Sequence, residues 1–179
     1  MRVLSKFIFH TILRWKIVGA FPTHLKKYVV IAAPHTSWQD FPIAMLARSV
    51  SGEKINYIGK DSLFKGPFGW IFKALGGTPV DRSTNNNLVD AIVDIFNKKE
   101  EFRLGLSPEG TRKKVEKWKT GFYYIAKGAQ VPIIMVTLDF GRKQVQISDV
   151  YHPTDDKEKD FAHFHAFYKD VKGKKPEQF

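Results

Sequence analysis

Lys27-Tyr28-Val29-Val30-Ile31-Ala32-Ala33-Pro34-His35-Thr36-Ser37-Trp38-Gln39-Asp40 is the stretch on which the fold turns. Residues 28 to 33 are continuously apolar and rich in β-branched side chains, which predicts a strand buried on both faces. Pro34 ends the run, and a polar turn carries His35, Thr36 and Ser37. The chain then enters a helix through Ile43, Met45, Leu46 and Val50. A buried strand feeding a polar loop and then a helix is the repeating unit of an α/β layer structure. In such sheets the loop beyond a strand's carboxyl end is where ligands commonly sit.

The same alternation continues in both directions. Upstream, residues 15 to 19 read as a strand, preceded by Val3, Leu4, Phe7, Ile8, Thr11, Ile12 and Trp15 at helical spacing. Downstream come a strand at 55 to 59, a helix at 67 to 75 stopped by Gly76-Gly77, and an extended piece at 78 to 80. Leu88, Ala91, Ile92, Ile95 and Phe96 mark an amphipathic helix, with Thr84 or Asn85 as its cap. A buried strand at 103 to 107, a helix at 119 to 129, strands at 131 to 140 and 144 to 150, and a helix at 156 to 171 complete the series. The expected architecture is a single α/β domain over residues 1–179, with a mixed, mostly buried sheet flanked by helices. Residues 1–17 form an interfacial or packing helix, the run Lys169 to Lys175 reads as a solvated, frayed terminus, and residues 172–179 form a basic tail.

Composition narrows the chemistry. The 179 residues carry 29 Lys and Arg against 18 Asp and Glu, a formal charge of +11 that attracts polyanions such as anionic lipid, an acidic carrier protein or nucleic acid. No Cys is present, which excludes a disulfide, a thiolate metal site and a Cys nucleophile. No run approaches the roughly 20 apolar residues of a spanning helix. Arg2, Lys6 and Arg14 interrupt the N-terminal apolar stretch, which is a poor fit to a cleavable signal. These features suit peripheral attachment to the cytoplasmic face of a membrane.

Three loops carry candidate chemistry. His35 with Asp40 is a base beside an acid that can fix its tautomer, the arrangement for deprotonating an alcohol. Ser37-x-x-Asp40 also reads as a variant capping box, with His35 an ordinary loop residue. Gly76-Gly77-Thr78-Pro79-Val80-Asp81-Arg82 pairs a tight turn with a guanidinium fork for phosphate, or is simply a helix stop followed by a surface Arg. Ser107-Pro108-Glu109-Gly110-Thr111-Arg112 gathers an acid, a flexible glycine, a hydroxyl and an Arg, or is a solvated turn. Gly105-x-Ser107 does not make a nucleophile elbow, because Glu109 stands where that motif requires Gly. His152, His163 and His165 lack the acid and spacing of a metal site, so no metal is expected.

In order, H-x-x-x-x-D, then G-x-P-V-D-R, then P-E-G-T-R, then Val131-Pro132-Ile133-Ile134, the chain resembles the lysophosphatidic acid (1-acylglycerol-3-phosphate) acyltransferase family of the phospholipid/glycerol acyltransferase superfamily. Gly59-Lys60-Asp61-Ser62-Leu63-Phe64 and Trp118-Lys119-Thr120-Gly121-Phe122 extend the likeness, which covers the core from 28 to 140. The resemblance implies a glycerol-3-phosphate acyltransferase-like fold and transfer of a fatty acyl group from acyl-CoA or acyl carrier protein to a lysophospholipid hydroxyl, in phospholipid biosynthesis. His35 would be the general base and Asp40 its orienting partner. Arg82 and Arg112 would hold the acceptor's phosphate, Glu109, Gly110 and Thr111 its glycerol part, with Lys119 a further phosphate or carrier contact. Val131 and Pro132 would shape the acyl pocket. No cofactor is implied, and attack on the thioester would be direct.

Pro34 before the His, and Thr78-Pro79 in the second block, depart from the commoner pattern and leave acceptor identity open. A lyso-aminolipid or sugar-lipid acceptor is the nearest alternative. A basic nucleic-acid binding module is the rival of another class, but no RRM, KH or zinc-finger signature is present and the charge forms no single stripe, so no nucleic-acid partner is expected.

Overall fold

Strand β2 (Lys27–Ala33) lies at the centre of the sheet, and the alternation of its side chains sorts the core into two. The computed structural model describes residues 2–80 and 88–179. β2 pairs in parallel with β5 (Phe102–Leu106) on one edge and with β6 (Ile133–Thr137) on the other. Two short parallel pairs extend this sheet. β3 (Tyr57–Lys60) pairs with β4 (Gly77–Val80) and joins β5 by a parallel bridge from Asn56 to Leu104. β1 (Lys16–Val18) pairs with β7 (Gln144–Gln146), and an antiparallel bridge from Ile147 to Val136 ties that pair to β6. Antiparallel bridges from Ile133 to Tyr151 and from Asp139 to Gln144 join it, so the sheet is mixed, while its named strands pair in parallel.

Because side chains alternate along a strand, Val29, Ile31 and Ala33 face one layer, and Tyr28 and Val30 face the other. The first layer is built from α5 (Leu88–Lys98), α6 (Gly121–Gly128) and α7 (Lys157–Tyr168), through Ile92, Phe96, Phe122, Ile125, Phe164 and Tyr168. Tyr168 donates from its hydroxyl to the Ile31 carbonyl at 2.6 Å and accepts from Val136 N at 3.1 Å, so its buried oxygen is satisfied within the sheet. The second layer is α2 (Asp40–Ser51), packed through Ile43, Ala47 and Val50 together with Phe9, Trp15 and Phe21. The result is a helix–sheet–helix sandwich, the α/β architecture expected from the strand and helix alternation.

Local outcomes differ in three places. Helix α1 (Arg2–Lys6) passes into a π-helical stretch, Phe7–Ile12, in which Leu13 N donates to Ile8 O. The wider turn breaks the 3.6-residue register. Phe9 therefore becomes the fully buried anchor, while Val3, Leu4, Phe7 and Ile12 of the apolar stripe stay exposed. Arg2 Nε to Val50 O and Ser49 Oγ to Ser5 Oγ fasten this segment to α2. Second, a single-turn helix, α3 (Asp61–Lys65), precedes α4 (Gly69–Ala74); five residues are too few to leave a periodic signal. Third, residues 172 to 179 are not a frayed tail, for Phe140 N donates to Lys172 O and Phe179 packs against the first core layer. No helix among the described residues is long and apolar enough to cross a membrane.

Candidate active site

Parallel pairing decides where the polar loops meet. Ile31 of β2 lies opposite Leu106 of β5, so the loops that leave these strands emerge side by side at the same sheet edge. His35 and Glu109, 74 positions apart, are thereby brought into direct contact: His35 N donates to Glu109 Oε2 at 2.8 Å.

Asp40 opens α2 and turns its carboxylate back onto the loop that precedes it. Its Oδ2 accepts from Thr36 N and Ser37 N, each at 2.8 Å, and lies 3.0 Å from His35 Nδ1. Asp40 is almost wholly buried and His35 is about one quarter exposed, its side chain reaching 28%. With Nδ1 committed to the carboxylate, the tautomer is set and Nε2 is the nitrogen left for a reacting group. The capping reading is also partly met, because Asp40 Oδ2 accepts from Ser37 N, the acid's half of a capping box, but Ser37 Oγ accepts from Gln39 N and not from Asp40 N.

Glu109 is 2% exposed. Its Oε2 also accepts from Ser107 Oγ at 3.0 Å, and burial raises its carboxyl above the ordinary range, against the opposing pull of those two hydrogen bonds. The other oxygen of each acid, Asp40 Oδ1 and Glu109 Oε1, is buried without a partner. Gly110 has φ of 66°, a conformation that costs other residues, and its missing side chain makes room for Lys119. A Cβ there would stand 2.8 Å from the Lys119 methylenes and 3.0 Å from Nζ. Lys119 N is anchored to Pro108 O, so this Lys belongs to the same loop cluster. Thr111 Oγ1 accepts from Lys113 N, and the Arg112 side chain is exposed.

Behind the His35 imidazole a cavity of about 310 Å³ runs between α2 and the sheet. His35, Asp40 and Ser107 stand on its wall beside Val30, Ala32, Ala44, Ala47, Val136 and Leu138. Arg48, two helical turns beyond Asp40, also lines it; burial lowers the Arg48 pKa, and Nη1 donates to Leu75 O. A polar pair opening on an apolar cavity suits a reaction on the head of a long-chain compound.

A family model described as Acyltransferase matches residues 14–139, which contain this whole constellation. The chain belongs to the acyltransferase family. A solved structure, the 1-acyl-sn-glycerophosphate (LPA) acyltransferase PlsC from Thermotoga maritima, is similar with a TM-score of 0.62 at 20% identity, over 94% of this chain and 75% of that one. At that identity the likeness is one of fold. No curated protein matches.

In this acyltransferase, then, His35, Asp40, Glu109, Gly110 and Lys119 share one site, with Thr111 and Arg112 on its rim. Arg82 lies outside the described residues, two positions past β4. Val131 and Pro132 stand apart from the cavity. β6 runs parallel to β2 and Ala33 pairs with Thr137, so Pro132 sits five residues back, about 16 Å from the active edge at strand rise. Val131 is part of the α5–α6 core and Pro132 O accepts from Val29 N. It is the far end of β6, Val136 and Leu138, that walls the cavity. Ser107 and the small residues Ala32, Ala44 and Gly105 were not legible as site residues, because only the folded chain shows which small side chains leave space. Two of the three C-terminal histidines pack on rings: His163 on Tyr151 at 4.4 Å and His165 against Trp118 at 4.5 Å between centroids.

Proposed function

We propose that this acyltransferase moves a fatty acyl group from an acyl thioester to the free hydroxyl of a lysophospholipid, with 1-acylglycerol-3-phosphate as the acceptor. The observation that carries the proposal is the His35–Asp40 pair, 3.0 Å apart, at the mouth of an apolar cavity and in contact with the Pro-Glu-Gly-Thr-Arg loop. His35 Nε2 takes the proton of the acceptor hydroxyl as its oxygen bonds to the thioester carbonyl carbon. The carbon–sulfur bond then breaks, and the proton held on Nε2 passes to the departing thiolate. Asp40 stabilises the imidazolium between these steps. Glu109 holds the His35 backbone and, with Gly110 and Thr111, borders the acceptor's glycerol part. Arg112, Arg82 and Lys119 supply cations for its phosphate. The acyl chain occupies the cavity beside Ala44 and Val136. We take residues 1–179 as one acyltransferase domain with its motif-bearing core at 28–140.

The donor is acyl-CoA or acyl carrier protein, and the +11 charge favours either acidic molecule. We further propose peripheral attachment to the anionic, cytoplasmic face of a membrane through the exposed Val3, Leu4, Phe7 and Ile12. Sedimentation with anionic vesicles, weakened by Leu4→Glu with Phe7→Glu, checks this; vesicle binding that the double variant leaves intact removes it. The transfer reaction is tested with labelled acyl-CoA and acyl carrier protein against a panel of lysolipids. Product on 1-acylglycerol-3-phosphate supports the acceptor assignment. Product only on a lyso-aminolipid or sugar-lipid keeps the chemistry and replaces the acceptor.

A further inference from the structure

Thr36, the neighbour of His35, is gripped from two directions. Its N donates to the Asp40 carboxylate, as above, while its hydroxyl and carbonyl are taken by residues 172 to 179. Lys175 N donates to Thr36 Oγ1 at 3.2 Å. Gly173 is buried so closely on this residue that a Cβ would stand 2.6 Å from Thr36 Oγ1 and 3.1 Å from Pro34 Cβ. Gln178 completes the contact. With its amide nitrogen turned to face two carbonyls, it donates to Arg112 O at 2.5 Å and to Thr36 O at 3.1 Å. Phe179 beside it lines a second cavity, of about 240 Å³, together with Glu109, Trp118 and Tyr168.

The amide of Gln178 therefore ties the backbone of the His35 loop to the backbone of the Arg112 loop. A primary amide offers two N–H donors, and the two loops offer one carbonyl each, so donors and acceptors match in number. Neither Thr36 nor Arg112 lies in a helix or strand, so their relative position is not set by secondary structure. We propose that Gln178 is a positioning residue for acyl transfer, fixing the spacing between the base that activates the acceptor hydroxyl and the Arg that holds the acceptor's phosphate. This rests on the functional reading given above for His35 and Arg112. Misplacement of reacting groups by about 1 Å can cost on the order of 100-fold in rate, so a tether of this kind acts on turnover without touching substrate.

Gln178→Ala removes the tether, and Gln178→Glu keeps the shape but places acceptor oxygens against two carbonyls. The expected result is a loss in kcat/KM for the lysolipid acceptor of about tenfold in the Ala variant and more in the Glu variant, with the donor KM unchanged. Amide hydrogen exchange on the full chain should quicken in both loops, around residues 34–37 and 109–113, in both variants. Wild-type kinetics in Gln178→Glu would overturn the proposal, since simple packing tolerates the isostere. So would a lowered melting temperature with unchanged kcat/KM, the mark of a purely structural anchor. If the wild-type chain transfers no acyl group to any lysolipid, the functional reading fails by itself, and exchange still decides: quickening in both loops supports the tether, and unchanged exchange overturns it.

Discussion

Replacing Asp40 by Asn separates the electrostatic part of the catalytic pair from its scaffolding part. Asp40 Oδ2 serves three donors, the two loop amides of Thr36 and Ser37 and the His35 imidazole. Asn keeps one carbonyl oxygen for the loop amides, so the turn before α2 survives. What disappears is the negative charge beside the ring as it takes up the acceptor's proton. A hydrogen bond to a charged partner contributes about 1.5–3 kcal/mol. At about 1.4 kcal/mol per decade, kcat should fall about 10- to 150-fold in Asp40→Asn. Asp40→Ala also strands the buried amides of Thr36 and Ser37, at about 1–3 kcal/mol for each unsatisfied group, so it should melt earlier as well as react slowly. Release of the free thiol from an acyl-CoA reports kcat, and thermal melting reports stability. Because Asp40 acts through His35, Asp40→Asn should add little to the loss in His35→Ala. A folded Asp40→Asn enzyme at the wild-type rate would refute this reasoning, as would a double variant in which the two losses multiply.

Three further outcomes follow from the site. Arg112→Ala should raise the acceptor KM while leaving the donor KM alone, and steady-state kinetics with each substrate varied in turn checks the split. Glu109 is held above its ordinary pKa by burial, so the folded state resists its ionisation. Its stabilising contribution is complete below the unfolded carboxylate value and declines as pH rises through the higher folded value. Glu109→Gln should flatten that decline, and melting curves of both proteins across the acidic range should diverge at the upper end; parallel curves would contradict it. Ala44→Phe places a ring in the 310 Å³ cavity and should shift donor preference toward shorter acyl chains, read from competition between labelled donors. Unchanged preference would move the acyl chain elsewhere.

Much of this was legible from local pattern. The unbroken apolar run at 28–33 could only be a buried strand or a short helix segment, and Pro34 with the following polar loop decided for the strand. The convergence of His35 with Glu109 was readable only through the resemblance, because nothing in the sequence states that β2 and β5 are neighbours. Parallel pairing then brings their loops together as a consequence. The acyl-pocket assignment to Val131 and Pro132 marks the limit of motif reasoning. Those residues immediately precede β6, at the end away from the cavity that Val136 and Leu138 line, and the register that places them is a property of the folded sheet. The N-terminal stripe was legible as an interfacial or a packing helix; the π-helical turn is invisible to a 3.6-residue wheel, so the burial of Phe9, which lies off that stripe, was not. Residues 172 to 179 look like a solvated basic end by composition. Their docking rests on the Lys172 carbonyl, the close fit of Gly173, the Lys175 N–H, the Gln178 amide and the Phe179 ring, and the backbone contacts among these have no compositional signature.

The measurement that bears most directly on the function is the rate of acyl transfer by purified wild-type protein and by His35→Ala, with the same thioester donor, the same lysophospholipid vesicles and melting curves recorded for both. A general base at His35 requires the variant to fold normally and to react about 10²- to 10⁴-fold more slowly. Transfer at the wild-type rate by a folded His35→Ala protein would remove His35 from the chemistry and the proposed mechanism with it.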